Sequence, residues 1–152
     1  MFHPSSINPD VELRDYLQGQ ISVGSGSSAK LVTVYGDWER PTNEIPDDFI
    51  VVMNNGNPSS LGLHIDYAKG FLMISLYSKL NNDGSVKKNR IGKILEQFDT
   101  LVEKCATENY FFEYDEQQFI TPTMPNITSG YSITTLNLKW TTTNSFNKPV
   151  TP

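Results

Sequence analysis

The sequence predicts an α+β fold: a mixed or antiparallel sheet of about four to five strands, covered by an N-terminal helix and one long helix. Two observations lead to this. A stretch from about residue 90 to 107 carries apolar residues three and four positions apart, as on one face of a helix. Short β-branched and aromatic runs, each bounded by turn residues, lie on both sides of it. Strands grouped before and after a helix, without regular alternation, favour α+β over a parallel α/β sheet.

The long amphipathic helix is the clearest single element. Asn89 is a suitable N-cap, so the helix is expected to begin near Arg90 and to end near Glu108. Burying its stripe stabilises the fold by roughly 1.5 to 3 kcal/mol for each large apolar side chain, so a sheet or a second helix must cover it. The stripe consists of Ile91, Ile94, Leu95, Phe98, Leu101, Val102 and Cys105.

A second helix is predicted over about residues 8–20. Asn8 is a possible N-cap, Pro9 suits the first helical position, and Asp10 and Glu12 suit the first turn. The glycines and serines of residues 22–29 then predict a flexible connection.

The predicted strands differ in how they are covered. Phe71–Leu80 alternates with apolar residues on both faces, and the short run 49–53 reads as a central strand that the turn residues after Met53 end. Leu63–Asp66 is either a short strand or loop, and Pro122 and Pro125 place 115–130 in a loop or at a sheet edge. The remaining strands are expected at 31–35, 110–114 and 131–141, the last with Leu136, Leu138 and Trp140 facing inward.

Length and composition indicate a single domain over residues 1–152, with an ordered core at about 8–141 and a mobile tail at 142–152. Charged residues make up 19%, below the usual value of about 25%, and the net charge is −5. That charge argues against a surface that grips nucleic acid throughout. The sequence contains neither a signal peptide pattern nor an apolar run long enough for a membrane span, so we expect a cytoplasmic protein or something assembled there.

Residues suited to catalysis are few. Cys105 lies on the apolar stripe and reads as a buried hydrophobic residue. His64 and Asp66 could share one face of a strand but lack further metal ligands, and Asp47 and Asp48 are more typical of acids that solvate a strand end. Because nucleotide-loop and catalytic motifs are also missing from the sequence, we expect a protein that is not an enzyme and has no metal or cofactor.

The connection before the long helix is the one local oddity. Lys87, Lys88 and Arg90 lie at a helix N-terminus, where the helix dipole disfavours cations. An acidic neighbouring subunit or a phosphate backbone would compensate this cost. A solvated loop whose lysines have no partner explains the same residues about equally well. The connection is expected to project, and the candidate interface residues are Asn82, Asp83, Lys87, Lys88 and Arg90.

A family resemblance rests on the succession DDFIVV, KGFLMISLYSKLNNDGSVKKNRIGKILEQFDTLVEK, YFFEY and YSITTLNLKW. This order resembles the tail-completion or tail-terminator proteins of long-tailed bacteriophages, over about residues 8–141. The resemblance implies a structural virion protein at the head–tail junction, assembled in the bacterial cytoplasm as a ring of about six copies. Its partners would be other copies, the tail-tube protein and the head–tail connector, with possible contact to DNA passing through the ring and none with a membrane. The loop Asn81–Asn89 matches the family's projecting loop, whereas residues 22–29, 54–69 and those after 141 depart from the pattern.

Three alternatives remain open. The chain could be a head-completion or stopper protein of the same neck. It could be a monomeric adaptor that binds an acidic partner through a sheet edge or the Lys87–Arg90 segment. It could also be a small metal-dependent enzyme centred on His64 and Asp66.

Overall fold

The computed structural model describes most of the chain. The residues described are 8–24, 26–37, 39, 41, 45–61, 67–103, 105–115, 120–126 and 130–142.

Two α-helices and nine strands make up the described part of the chain, together with a single 3-10 turn at Gly26–Ser28. The helices are α1 (Pro9–Leu17) and α2 (Lys88–Val102). The strands are β1 (Ser22–Val23), β2 (Lys30–Leu31), β3 (Thr33–Tyr35), β4 (Asp48–Leu61), β5 (Tyr67–Lys79), β6 (Cys105–Ala106), β7 (Tyr110–Tyr114), β8 (Ile120–Asn126) and β9 (Tyr131–Thr142).

The main sheet is mixed and has the order β3-β4-β5-β9-β7-β6. Strand β3 runs parallel to β4, and every other neighbouring pair in this order is antiparallel. Strands β7 and β8 share one edge of β9: β7 pairs with its second half and β8 with its first half. The predicted α+β class is therefore confirmed, with somewhat more strands than expected.

Both helices cover the same face of this sheet. The stripe of α2 is buried at Ile91, Ile94, Phe98 and Val102, and it packs in one core with Leu13 and Leu17 of α1. The inward residues of β9 alternate as predicted. The sheet side of the core includes Ile50, Val52, Leu72, Ile74, Leu76, Phe112, Leu136, Leu138 and Trp140.

The helix boundaries differ from the sequence-based expectation. Helix α2 begins at Lys88 and ends at Val102, so Asn89 lies inside it and Lys87 is its N-cap without a side-chain cap. The residues after it turn into β6, where Cys105 pairs with Phe112. A strand partner for Cys105 ends the helix earlier than its apolar spacing alone predicts, because periodicity cannot reveal pairing with β7.

Two side-chain amides hold the chain next to α1 and α2. Gln18, just after α1, accepts a hydrogen bond from Val34 N at 2.9 Å and donates one to Val34 O at 3.0 Å. Gln97 of α2 makes the same pair of bonds with Ser22, at 3.0 and 2.8 Å. Residues 22–24 and 26–29 are therefore tied to α2 through a short hairpin instead of forming a plain flexible connection.

Strand β4 is longer than predicted. The expected run 49–53 is covered on both sides, since Ile50, Val51 and Val52 are fully buried, but the strand continues to Leu61. A register shift between Asn55 and Ser59 separates the two ladders with β5. Pro58 lies in this shift, as expected for a residue without an N–H group.

The other strand predictions stand close to the structure. Residues 110–114 and 131–142 form β7 and β9, while the run 31–35 is divided, with Lys30–Leu31 pairing with β1 and Thr33–Tyr35 with β4. The segment with Pro122 and Pro125 includes the edge strand β8, again with a register shift. Thr142 belongs to β9, and the rest of the predicted tail lies outside the described residues.

Candidate functional site: the two ends of helix α2

The connection from β5 to α2 contains a polar turn at residues 81–85 that is held by hydrogen bonds among its own residues. Asn81 N bonds Ser85 O and Gly84 N bonds Asn81 O, both at 2.9 Å. Ser85 donates to Asp83 from its backbone N at 2.9 Å and from Oγ at 2.6 Å, and these bonds lower the pKa of Asp83. Gly84 has φ +84°, a conformation that other residues rarely adopt. Asn82 and Asp83 are exposed at the tip of this turn.

Lys87 and Lys88 follow the turn and start the helix. Lys88 is exposed and Lys87 half-buried, and neither makes an ion pair with a described residue. The first turn of α2 contains no acid that would offset their unfavourable position at the positive end of the dipole. A second exposed lysine, Lys93, lies one turn further along.

Arg90 differs from the lysines because it points into the fold. Its Nε and Nη2 donate to Asp48 Oδ2 at 2.8 and 2.6 Å, and the hydrogen bonds to Asp48 raise its pKa. Ser78 Oγ donates to Asp48 Oδ1 at 2.7 Å, and Ser132 Oγ donates to Ser78 O at 3.1 Å. The ion pair with Asp48 therefore offsets the unfavourable position of Arg90 at the positive end of the helix dipole. Lys87 and Lys88 have no such partner among the described residues.

The surface around this end is open. A shallow groove of about 630 Å³ lies between Arg90 and the β1–β2 hairpin, lined in part by the exposed Leu31 and by Lys30 and Asp47. Asp47 is itself exposed and lies 3.9 Å from Lys79 Nζ. Of the acid pair before β4, Asp47 solvates the strand end as expected, whereas Asp48 is buried as the partner of Arg90.

The opposite end of α2 is acidic, which the sequence analysis did not single out. Asp99 and Glu103 flank a groove of about 300 Å³ against β7, whose rim includes Glu113 and Tyr114. Tyr114 Oη donates a hydrogen bond to Asp99 Oδ1, and burial, together with this carboxylate, raises the pKa of Tyr114. The signal for this end was present in the sequence, since Glu96, Asp99 and Glu103 recur at helical spacing.

The helix-free face of the sheet carries a cluster of aromatic residues. Phe49 stacks on Tyr77 at 4.7 Å between ring centroids and meets Tyr35 and Tyr131 edge-on at 5.8 and 5.7 Å. Tyr131 Oη also donates to Pro46 O at 2.8 Å. Val51 and Ser75, on the same face, are also buried.

The other candidates for chemistry that the structure describes do not assemble into a site. Cys105 is fully buried, and burial raises the pKa of its thiol to about 11. His64 and Asp66 lie outside the described residues. Among the residues that the structure does describe, no three His, Cys, Asp or Glu side chains are grouped as metal ligands would be.

Comparison with known proteins adds no family assignment. The chain matches no protein-family model, and no curated protein matches it significantly. Within the described residues, neither helix is long and apolar enough to cross a membrane.

Proposed function

We propose that this protein is a non-enzymatic structural subunit of a bacteriophage neck, a tail-terminator or tail-completion protein. In this proposal about six copies form a ring that caps the tail tube and joins it to the head connector. The protein is then part of the virion at the head–tail junction, assembled in the cytoplasm of the bacterial host.

The observation that carries the proposal is the order and connection of the elements. Helix α1 precedes the sheet, β5 leads through the polar turn at 81–85 into α2, and β9 returns beside β5 with β7 on its other side. This is the arrangement that the resemblance to tail-terminator proteins implies. The exposed turn and its two lysines lie where that family has its projecting loop.

The direct test of this proposal is whether the purified protein forms closed rings. Purified protein, examined by sedimentation velocity and by electron microscopy of negatively stained particles, is expected to form closed oligomers near six copies. Adding it to polymerising tail-tube protein should shorten the tubes and leave a ring at one end. A protein that stays monomeric alone and with tube ends, and that leaves tube length unchanged, would overturn the proposal.

The alternative function in the same neck, a head-completion or stopper protein, can be distinguished by what the protein binds. A head-completion or stopper protein would bind the portal side of the connector and ignore tube ends. Pull-down with each partner therefore separates the two positions in the neck.

The two lysines at the start of α2 also favour a second candidate, an adaptor that binds an acidic partner. Replacing Lys87 and Lys88 with serine would then abolish capture of that partner by a protein that stays monomeric. Arg90 is kept in this variant, because removing it would leave Asp48 buried without its cation. Unchanged partner binding by the double variant would rule out the adaptor.

A further inference from the structure

Charge is divided between the two ends of helix α2. The basic end comprises Lys87, Lys88 and Lys93, and the acidic end comprises Asp99 and Glu103 on the helix with Glu113 on β7. At about 1.5 Å per residue the helix is roughly 21 Å long, so the outermost charges of the two ends cannot meet within one molecule.

Both ends carry charges of the sign that an isolated helix disfavours. Cations lie at the positive end of the dipole and acids at the negative end, and α2 has no acid in its first turn and no base in its last. Asp99 and Glu103 are also four residues apart, a spacing at which like charges repel. The helix therefore carries an electrostatic cost at each end.

Among the described residues these charges have few partners, one of which is Tyr114, whose Oη donates a hydrogen bond to Asp99 Oδ1. Lys87, Lys88, Lys93 and Glu103 make no ion pair among the described residues. Glu113 lies 3.6 Å from Lys139 Nζ, but half of its side chain is exposed. Lys104 follows Glu103 in the sequence and lies outside the described residues.

We infer that the basic end of α2 in one copy binds the acidic groove of Asp99, Glu103 and Glu113 in the next copy, making a head-to-tail contact. This inference rests on the proposed function and names the surface through which the ring subunits meet. Two different patches that meet in this way form a heterologous interface, the kind that generates rings. Lysine side chains at the start of a helix suit an open groove lined by carboxylates.

A second copy explains the charges better than nucleic acid does. DNA would account for the lysines but not for the acidic groove, and the net charge of −5 opposes a general affinity for phosphate. A second copy accounts for both ends at once.

The test uses paired charge reversals in the full chain. The first variant carries Lys87→Glu and Lys88→Glu, and the second carries Glu103→Lys and Glu113→Lys. Each alone is expected to associate at least about tenfold more weakly than the parent protein, because like charges then face each other across the contact. An equimolar mixture of the two variants should associate again, since each altered end then meets an end of opposite charge. The two variants would alternate around the ring, which can close whenever the number of copies is even.

Two further measurements separate this contact from misfolding and from general charge effects. The urea midpoint of the Lys87→Glu, Lys88→Glu variant should rise slightly, because acids replace cations at the helix N-terminus. The control carries Lys69→Glu, a charge reversal at an exposed position of β5, and should assemble like the parent. Assembly of the parent should weaken between about 0.01 and about 1 M salt, as the screening length falls from about 30 to about 3 Å.

Each outcome decides between the two proposals. Reversal variants that form rings as well as the parent would overturn the head-to-tail contact and leave the ring proposal standing. Charge-dependent association into dimers or open chains that ignore tube ends would support the contact and overturn the neck function. A parent protein that stays monomeric at low salt, both alone and with tube ends, and leaves tube length unchanged overturns both, and so does lysine-dependent binding of duplex DNA without self-association.

Discussion

Arg90 and Asp48 lie 42 positions apart in the chain and form a two-bond ion pair in which Nε and Nη2 both donate to one carboxylate oxygen. The arginine side chain keeps 34% of its surface exposed, whereas the aspartate keeps 3%. The pair joins the start of α2 to the first residue of β4, and through Ser78 it reaches β5. It fixes the position of the helix start that carries Lys87 and Lys88.

The two members of this pair should differ in what their removal costs. Arg90→Ala leaves a buried carboxylate unpaired and is expected to lower the free energy of unfolding by about 3 to 4 kcal/mol, whereas Asp48→Ala leaves a half-solvated guanidinium and costs about 2 kcal/mol. Urea unfolding followed by tryptophan fluorescence measures both. The control is Asp47→Ala, which breaks the exposed contact with Lys79 and should cost under about 0.5 kcal/mol. Equal losses for all three variants would contradict this account.

Gly70 pairs with Trp140 across the ladder between β5 and β9. A Cβ atom at position 70 would lie 2.6 Å from Trp140 Cζ2, so Gly70→Ala should displace the buried indole and cost about 2 kcal/mol. A shift in the tryptophan emission maximum should accompany the loss. Gly92→Ala in α2 meets nothing within 4 Å and is expected to stabilise the protein by about 0.5 to 1 kcal/mol. Destabilisation by both alanines would point to a general intolerance instead of this contact.

Phe49 centres the aromatic cluster on the helix-free face and is almost fully buried. Phe49→Ala should cost about 3 kcal/mol, since it removes a buried ring and its three ring contacts. Phe71 lies on the same face but is 46% exposed, and Phe71→Ala should change stability by less than about 1 kcal/mol. Chemical denaturation of the two variants side by side provides the comparison, and similar losses would show that the cluster is not what stabilises this face.

Because the thiol of Cys105 is buried, we expect the free energy of unfolding to fall at alkaline pH. Burial raises its pKa from an ordinary 9.0 to about 11, so the folded protein keeps a proton that the unfolded chain releases. This contribution is fully present below about pH 9 and is lost as the pH rises through about 11. Cys105→Ala should be less stable than the parent at neutral pH, with a difference that narrows over that window. A constant difference in urea midpoint between about pH 8 and pH 11 would contradict the assignment.

The elements that the sequence predicts well are those with a strong local period. Helix α2 follows from the spacing of residues 91–102, and β9 from its strict alternation of inward and outward residues. The extension of β4 past Asn55 has no local signal, because turn residues such as Gly56 and Pro58 are tolerated there by a register shift with β5. The end of α2 is likewise decided by the pairing of β6 with β7.

The candidate site divides in the same way. Exposure of Asn82, Asp83 and Lys88 agrees with what the turn residues predict. The side chain of Arg90 points into the fold because it pairs with Asp48, which lies 42 positions away and cannot be identified from the neighbouring sequence. The acidic groove depends on β7 lying beside the end of α2, so Glu113 becomes part of it only through the fold.

The amide of Gln18 stands where one more strand would otherwise pair with β3. Because it uses both the N–H and the C=O of Val34, an extended segment of another molecule would have to displace it before adding to the sheet there. Copies of this protein are thereby discouraged from joining edge to edge at β3, the route that leads to uncontrolled fibres. A subunit that has to stop growth at a defined number of copies benefits from such a blocked edge, since assembly is then left to side-chain contacts that can close on themselves.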